Sequence, residues 1–293
     1  MKVVITIPAY NEEKTIGRVI RDIKKVMHEI SAECKILVID DGSKDKTSEI
    51  AKKEGVIVFS HPINYGLAET FRTEMKKAAE LDPDIIVHTD ADGQYLASEI
   101  PKLIAPIKNK RADLVLGSRF KGRIESMPLI KKIGNRAFSK VISNITRTKI
   151  SDGQTGFRAF TKEVAAIEIK SNHTYTQEQV IKAVLNKFRI VEVPVYFAER
   201  KGKSRLIKNP LEYAVKAWMN ILRVYRDYEP LKFFGKIGGS FLTAGMLIGL
   251  YFIYLHLTTG ISGHLGLLFL MLLLIFSGIQ IILFGLLADM NKK

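Results

Sequence analysis

Between residues 237 and 288 the chain contains no Asp, Glu, Lys or Arg, a run of 52 positions. No other feature narrows the fold as much. A helix needs about 20 mostly apolar residues to cross the hydrocarbon core of a bilayer. The run holds two such stretches, 237–257 and 266–288. The link between them, Thr258-Thr259-Gly260-Ile261-Ser262-Gly263-His264-Leu265, is uncharged and Gly-rich, as suits a turn outside the membrane. The alternative is a buried hairpin of a soluble fold, but helices apolar on every side are more readily accounted for by lipid. Lys232 and Lys236 lie before the first span, and Lys292 and Lys293 come after the second. By the positive-inside rule both ends face the cytoplasm. The expectation is a multi-pass protein of the cell membrane, with its N-terminal part and both termini cytoplasmic.

The first 236 residues carry +14 of the total charge of +15. Residues 201–232 alone hold eight Lys or Arg against three acids. Within that segment Leu211, Tyr213, Ala214, Ala217, Trp218, Ile221, Leu222 and Tyr225 recur at helical spacing. A basic amphipathic helix with Trp and Tyr suits an anionic membrane surface. An ordinary helix packed on a domain has the same pattern, and both readings can hold. Nucleic acid is the other partner a basic chain suggests, but no nucleic-acid motif is present and none is expected to bind. The single cysteine, Cys34, excludes an internal disulfide and a Cys-rich zinc site. The opening Met1-Lys2-Val3-Val4-Ile5-Thr6-Ile7-Pro8 is too short and too quickly polar for a signal peptide.

Over the first 120 residues short apolar runs alternate with amphipathic segments. Strands are expected at 3–7, 36–39, 56–59, 85–87 and 114–116, and helices over 12–30, 45–54, 67–81 and 100–107. Further on come a helix near 130–145, a strand near 157–160, a helix near 177–187 and a strand at 190–193. The alternation predicts an α/β fold with a mostly parallel central sheet. Acidic residues collect at the carboxyl ends of the strands, where open α/β sheets bind ligands.

Short motifs constrain the ligand. The turn after the first strand, Pro8-Ala9-Tyr10-Asn11-Glu12, has no glycine, which excludes a Rossmann dinucleotide site. Gly202-Lys203-Ser204 ends like a P-loop, but position 197 is Phe where glycine is required. No pair of the six His has zinc-helix spacing. What remains is Asp90-Ala91-Asp92-Gly93-Gln94, at the end of a strand. Two carboxylates two apart can converge on a hard divalent cation that bridges substrate phosphates. An acidic turn capping the next helix is the bland alternative, of comparable weight on the motif alone.

Three segments, Ile7-Pro8-Ala9-Tyr10-Asn11-Glu12, Val38-Ile39-Asp40-Asp41-Gly42-Ser43-Lys44-Asp45 and Asp90-Ala91-Asp92-Gly93-Gln94, together resemble the nucleotide-sugar domain of family 2 glycosyltransferases, a GT-A fold. Gly117-Ser118-Arg119-Phe120, Ile133-Gly134-Asn135-Arg136, Asp152-Gly153-Gln154-Thr155-Gly156-Phe157-Arg158 and Arg200-Lys201-Gly202-Lys203-Ser204-Arg205-Leu206 resemble one branch, the polyprenyl-phosphate (dolichyl-phosphate) sugar synthases. The resemblance runs in order over roughly residues 1–210. It implies a GT-A domain over 1–207; the charge and apolar patterns set amphipathic interface helices over 208–232 and a two-helix transmembrane hairpin over 233–293, a tail that also fits bacterial and archaeal members of that branch. The implied reaction moves a hexose from a nucleotide-sugar of the GDP-mannose or UDP-glucose type to a polyprenyl phosphate, with inversion and with Mg²⁺ or Mn²⁺ as cofactor. Association of copies is left open.

The resemblance also implies residue roles. It assigns Pro8, Ala9, Tyr10, Glu12 and Asp41 to the nucleotide, and leaves Asp40 to capping. Asn64-Tyr65-Gly66-Leu67 and Arg72 match a segment near the nucleotide. Asp90, Asp92 and Gln94 hold the metal and sugar, and Arg200 grips the diphosphate, for which its forked guanidinium is suited. Arg119, with Lys132 and Asn135 behind it, meets the acceptor phosphate. The chain departs from the family pattern there, which has Arg near Lys131-Lys132 and Ser near Asn135. Glu178 stands near where related transferases place a base. Two other functions compete. Processive polysaccharide synthases of this fold carry Gln-x-x-Arg-Trp, whereas Lys216-Ala217 precede the only tryptophan, Trp218. A non-catalytic adaptor would have no need of Asp90, Asp92 and Arg200.

Overall fold

The computed structural model describes residues 1–170, 175–199, 210–259 and 265–291. The chain divides into two compact units, 1–210 and 211–293.

The first unit is built on seven strands: β1 (Lys2–Ala9), β2 (Glu33–Asp40), β3 (Ile57–Ser60), β4 (Ile85–His88), β5 (Leu114–Ile124), β6 (Arg158–Thr161) and β7 (Ile190–Phe197). They form one sheet in the order β3-β2-β1-β4-β6-β5-β7. All neighbours run parallel except around β6, which is antiparallel to both β4 and β5. The mostly parallel α/β sheet expected from the alternation is therefore present. Helices connect the strands: α1 (Ile16–Glu29), α2 (Thr47–Lys53), α3 (Leu67–Ala79), α4 (Ile100–Lys108), α5 (Leu129–Thr146), the short α6 (Lys162–Ala165) and α7 (Thr176–Leu185). Helix α1 forms because Ile16, Val19, Ile20, Ile23 and Met27 recur on one face, and all five are buried. They pack with Val3, Ile5 and Ile7 of β1 and with Leu103, Ile104 and Ile107 of α4 in one core.

The largest departures from the periodicity are at three boundaries. Helix α1 starts at Ile16 rather than at residue 12, because Glu12 closes a turn by accepting from the N–H groups of Thr15 and Ile16. Strand β7 continues past residue 193 to Phe197, and β5 continues past 116 to Ile124. The added part of β5, from Gly117 on, is mostly polar and reads as loop. It is extended because it pairs with β7, with a register shift between Ser118 and Arg123. At that shift Gly122 lies against Val195, and a Cβ there would sit 2.0 Å from the Val195 carbonyl oxygen.

The second unit is helical: α8 (Pro210–Tyr228), α9 (Pro230–Thr259) and α10 (Leu265–Met290). On α8, Val215, Trp218 and Met219 are exposed and Ile221 is buried. Helices α9 and α10 pack as an antiparallel pair through small residues. A Cβ on Gly238 would lie 2.6 Å from the Gly278 carbonyl oxygen, and one on Gly245 would lie 2.8 Å from Ile275. Close backbone approach of this kind is how helices associate where solvent gives no hydrophobic drive. Both helices are long and apolar enough to cross a membrane, and only 6% of each apolar window is buried. That is the opposite of a soluble core hairpin. The Gly260–His264 stretch of the link, with Lys292 and Lys293, lies outside the described residues.

Gly122→Ala is expected to lower stability by about 1–3 kcal/mol, the usual cost of overpacking. Thermal unfolding of the purified protein checks this, and an unchanged midpoint would contradict the close β5–β7 approach.

Candidate active site

The site is assembled at the carboxyl edge of the sheet. Pro8 and Ala9 complete β1, and the backbone then turns through Asn11, a non-glycine residue at φ 54°. Four hydrogen bonds clasp this loop to the turn after β2. The Asp41 N–H donates to the Ala9 carbonyl (2.8 Å), Asn11 N–H to Ser43 Oγ (2.8 Å), Lys44 N–H to Asn11 Oδ1 (2.7 Å) and Glu12 N–H to Thr47 Oγ1 (2.8 Å). Tyr10 and Glu12 are thus presented on a rigid loop, half-buried. Asp40 accepts from the Ser43 N–H at 3.1 Å and shapes the turn. Gly42 is obligatory there: φ is 69° and a Cβ would lie 2.4 Å from the Ile63 carbonyl carbon.

Asp41 is buried, and its carboxylate faces the protein. It accepts from His61 Nδ1 (2.8 Å), Tyr65 N–H (2.9 Å) and Gly66 N–H (2.9 Å). It therefore fixes the 61–66 loop that leads into α3, the helix bearing Arg72. Arg72 is itself paired with Glu69 at 2.6 Å and donates to the Ile169 carbonyl at 3.0 Å.

After β4 come Thr89, Asp90, Ala91 and Asp92, and then Gly93 at φ 74°. Asp92 Oδ1 accepts from the Gln94 N–H at 3.0 Å, closing the turn. The Asp90 carboxylate lies against Gly156, where a Cβ would stand 3.1 Å from Oδ1. No hydrogen bond to it from the described residues is present. Burial is the main cause that pushes its pKa up to about 6; the charge of Asp92 raises it further, and His88 and Arg119 oppose the rise. Gln94 is engaged through its Nε2 and its main-chain carbonyl, neither of which is the side-chain oxygen expected to meet the metal. Its Nε2 donates to the Ala198 carbonyl at 3.1 Å, and its own carbonyl accepts from the Ala198 N–H at 2.9 Å, so it braces the end of β7. A cleft of about 530 Å³ opens beside this turn, lined by Arg18, Thr89, Asp92, Gly93, Tyr95 and Glu125.

Arg119 is 5% exposed and paired with the fully buried Asp152. Nε and Nη2 donate to the two carboxylate oxygens at 2.7 and 2.8 Å, and the Arg119 N–H adds a third bond at 3.0 Å. This leaves Nη1 without a partner among the described residues, so at most one edge of the guanidinium can reach an acceptor. Lys132 and Asn135 are one turn apart on α5, half-buried and buried respectively. Ser139, a turn further, accepts from the Gly153 N–H at 3.1 Å, which ties α5 to the loop holding Asp152. Glu178 is buried at the start of α7, where its Oε1 accepts from the Lys170 N–H (2.9 Å) and Lys182 Nζ (2.7 Å). Arg200 and the Gly202-Lys203-Ser204 segment lie outside the described residues.

Beneath Asp90 lies a polar cluster to which sequence reasoning gave no part: Glu74, His88, Thr155, Arg158 and Tyr175, all buried. One signal was available, since His88 stands at the end of an apolar strand run where a polar side chain needs a partner.

Residues 4–166 match the model of Glycosyl transferase family 2. The UDP-N-acetylglucosamine–dolichyl-phosphate N-acetylglucosaminyltransferase of Methanococcus voltae is 36% identical over 214 residues, covering 65% of this chain and 83% of that protein. The dolichyl-phosphate hexose transferase of Haloferax volcanii is 33% identical over 206 residues, covering 69% and 85%. Among solved structures, glucosyl-3-phosphoglycerate synthase from Mycobacterium tuberculosis, determined with Mn²⁺, uridine diphosphate and glucosyl-3-phosphoglycerate, aligns with a TM-score of 0.58 at 17% identity, over 75% of this chain and 79% of that one. It has the GT-A fold that the sequence resemblance implies. A chain that fits the family model over more than half its length, and matches these two relatives above 30% identity over more than four-fifths of theirs, belongs to glycosyl transferase family 2 and is a glycosyltransferase.

Proposed function

We propose that the protein transfers a hexose from a nucleotide-sugar to a polyprenyl phosphate in the membrane that its own helices enter. The observation that carries this reading is the Asp90–Asp92 pair. Asp90 is a carboxylate in a half-buried turn with no hydrogen-bond donor among the described residues, on a chain with two membrane-length helices. The relatives named above take dolichyl phosphate as acceptor, which supports a lipid phosphate here. One relative is named for N-acetylglucosamine and the other for a hexose, so the sugar is left as the hexose class.

The donor set suits a hard divalent cation, since both candidate ligands are carboxylates. No group of three or more His, Cys, Asp or Glu converges among the described residues. Asp90 and Asp92 would hold the ion through their carboxylates. When bound, the ion neutralises charge on the departing diphosphate. The chain supplies the rest. The loop of Pro8, Ala9, Tyr10 and Glu12 holds the base and ribose, with Asp41 fixing its neighbour. Arg200 pairs with the diphosphate. Lys132, Asn135 and the open edge of Arg119 orient the acceptor. An acceptor phosphate oxygen is anionic at neutral pH and attacks the anomeric carbon without a general base. The carbon–oxygen bond to the diphosphate breaks as the new one forms on the opposite face, so the anomeric centre inverts. The membrane part of the reading places residues 1–230 and Lys293 in the cytoplasm.

Three outcomes are expected. Asp92→Ala should abolish transfer to a short polyprenyl phosphate in a labelled-donor assay, as EDTA should for the wild type. A variant fully active in EDTA sinks the metal assignment. Asp90→Asn bears on stability. Because the folded-state pKa of Asp90 is raised, ionisation above pH 6 disfavours the fold, and this penalty is absent below about pH 4. The metal-free variant should therefore be more stable than wild type at pH 7.5 by roughly 1–3 kcal/mol, at ~1.4 kcal/mol per pKa unit. The two should converge at pH 4, and only the wild type should gain from Mn²⁺ in thermal unfolding. Finally, a cysteine at Ser262 should react with an impermeant thiol reagent from outside the cell; labelling from the cytoplasmic side alone contradicts the topology.

A further inference from the structure

One chain of hydrogen bonds joins three elements that carry the site. His88 ends β4, two residues before Asp90. Its Nδ1 is 2.7 Å from Glu74 Oε2 on α3, and its Nε2 is 2.5 Å from the hydroxyl of Tyr175, the residue before α7. Thr6 Oγ1 on β1 donates to the same Glu74 oxygen at 3.2 Å. Glu74 and His88 are fully buried and Tyr175 is 1% exposed. The tyrosine ring is held on its own account. It stacks on Phe71 with centroids 3.8 Å apart, and the Arg158 guanidinium lies 5.3 Å from its centroid. Arg158 in turn donates to the Thr176 carbonyl (3.2 Å) and Gln179 Oε1 (2.9 Å) in α7.

Stability alone is a poor reason for this arrangement. Apolar residues of the same size often stabilise a core as well as a buried ionisable network does. Glu74 Oε1 has no partner among the described residues, and a buried acceptor left this way costs about 1–3 kcal/mol. The three elements joined have functional neighbours. Helix α3 is entered through the 61–66 loop that Asp41 holds on the nucleotide side. Strand β4 runs straight into Asp90 and Asp92. Helix α7 begins at Thr176 and packs against α5, which bears Lys132 and Asn135.

We propose that Glu74, His88 and Tyr175 are positioning residues that hold the Asp90–Asp92 turn in register with α3 and with the start of α7, so that donor and acceptor meet at the required distance. This rests on the transferase reading above. A group that aligns reactants acts on turnover rather than on donor binding, and small misplacements are costly to rate.

The test uses the full-length protein with a donor and a short polyprenyl phosphate. Tyr175→Phe removes only the hydroxyl and keeps the stack on Phe71. Glu74→Gln keeps the shape and removes the carboxylate. Each is expected to lower kcat about tenfold with the donor KM within twofold of wild type. The double variant should be no worse than the poorer single one, because both break one chain. The relay is overturned if both singles keep wild-type kcat, if the losses multiply in the double variant, or if donor KM rises in step with the loss. Should Tyr175→Phe not fold, Glu74→Gln alone decides by the same split between kcat and KM. A wild type that transfers to no polyprenyl phosphate overturns the transferase reading and the relay with it. An active wild type with unaffected variants overturns the relay alone.

Discussion

The geometry at the carboxyl edge of the sheet depends on the buried pairing of Arg119 with Asp152. An ion left alone in a protein interior costs several kcal/mol, so two buried partners of opposite sign stay together or the local fold fails. This pair fastens the loop after α5 to β5, and Glu192 of β7 grips the same loop through the N–H groups of Ser151 and Asp152 at 2.8 and 2.9 Å. The next residues of the chain are thereby placed: Thr155 against the Tyr95 hydroxyl at 3.3 Å, Gly156 against Asp90, and Arg158 at the start of β6. The reversal of β6 gives this its effect. Because β6 runs against β4 and β5, Arg158 pairs with His88 and Leu116, and the loop before β6 arrives at the same edge as the loop after β4. An all-parallel sheet would have sent that loop to the opposite edge.

Two carboxylates, Asp152 fully buried and Asp90 partly so, thus stand at this edge under opposite conditions. Asp152 has three donors from Arg119, and Glu192 steadies its backbone. Asp90 has the charge of Asp92 beside it and its pKa pushed up to about 6. Asp152 is compensated within the protein, whereas no donor among the described residues reaches the Asp90 carboxylate. A carboxylate held in this state gains from a positive group placed beside it, which is what the proposed role of Asp90 requires.

The sequence disclosed these parts unevenly, for physical reasons. Helix α1 and strands β1, β2 and β4 arise from local periodicity and were legible. So was the membrane-length pair, because the absence of charge over 52 positions needs no tertiary knowledge. The second half of β5 was not legible, since residues such as Ser118, Arg119 and Lys121 are extended only through pairing with β7. Arg119 and Asp152 each stood out in a motif, but nothing local says that they pair, and so the arginine read as a free phosphate ligand. For Gln94 the identity is visible in the sequence, but the Ala198 carbonyl that takes its Nε2 is not. Nothing local marks Glu74 off from the other acids of its helix. Only the fold turns it inward to His88.

The demands of the proposed reaction explain why so little of this machinery concerns proton transfer. Donor diphosphate, acceptor phosphate and anionic leaflet are all negative, and the attacking oxygen needs no base. The problem for the protein is to bring like charges together, which requires cations at set positions. On the proposed reading, the charge of +14 on the residues before the apolar run, the Asp90–Asp92 pair and the anchored Arg119 would serve that end. On this reading Glu178 loses nothing by having its Oε1 occupied by Lys182 and the Lys170 N–H. In a transferase acting on a neutral hydroxyl, the same engagement would withhold a base from the step that needs it.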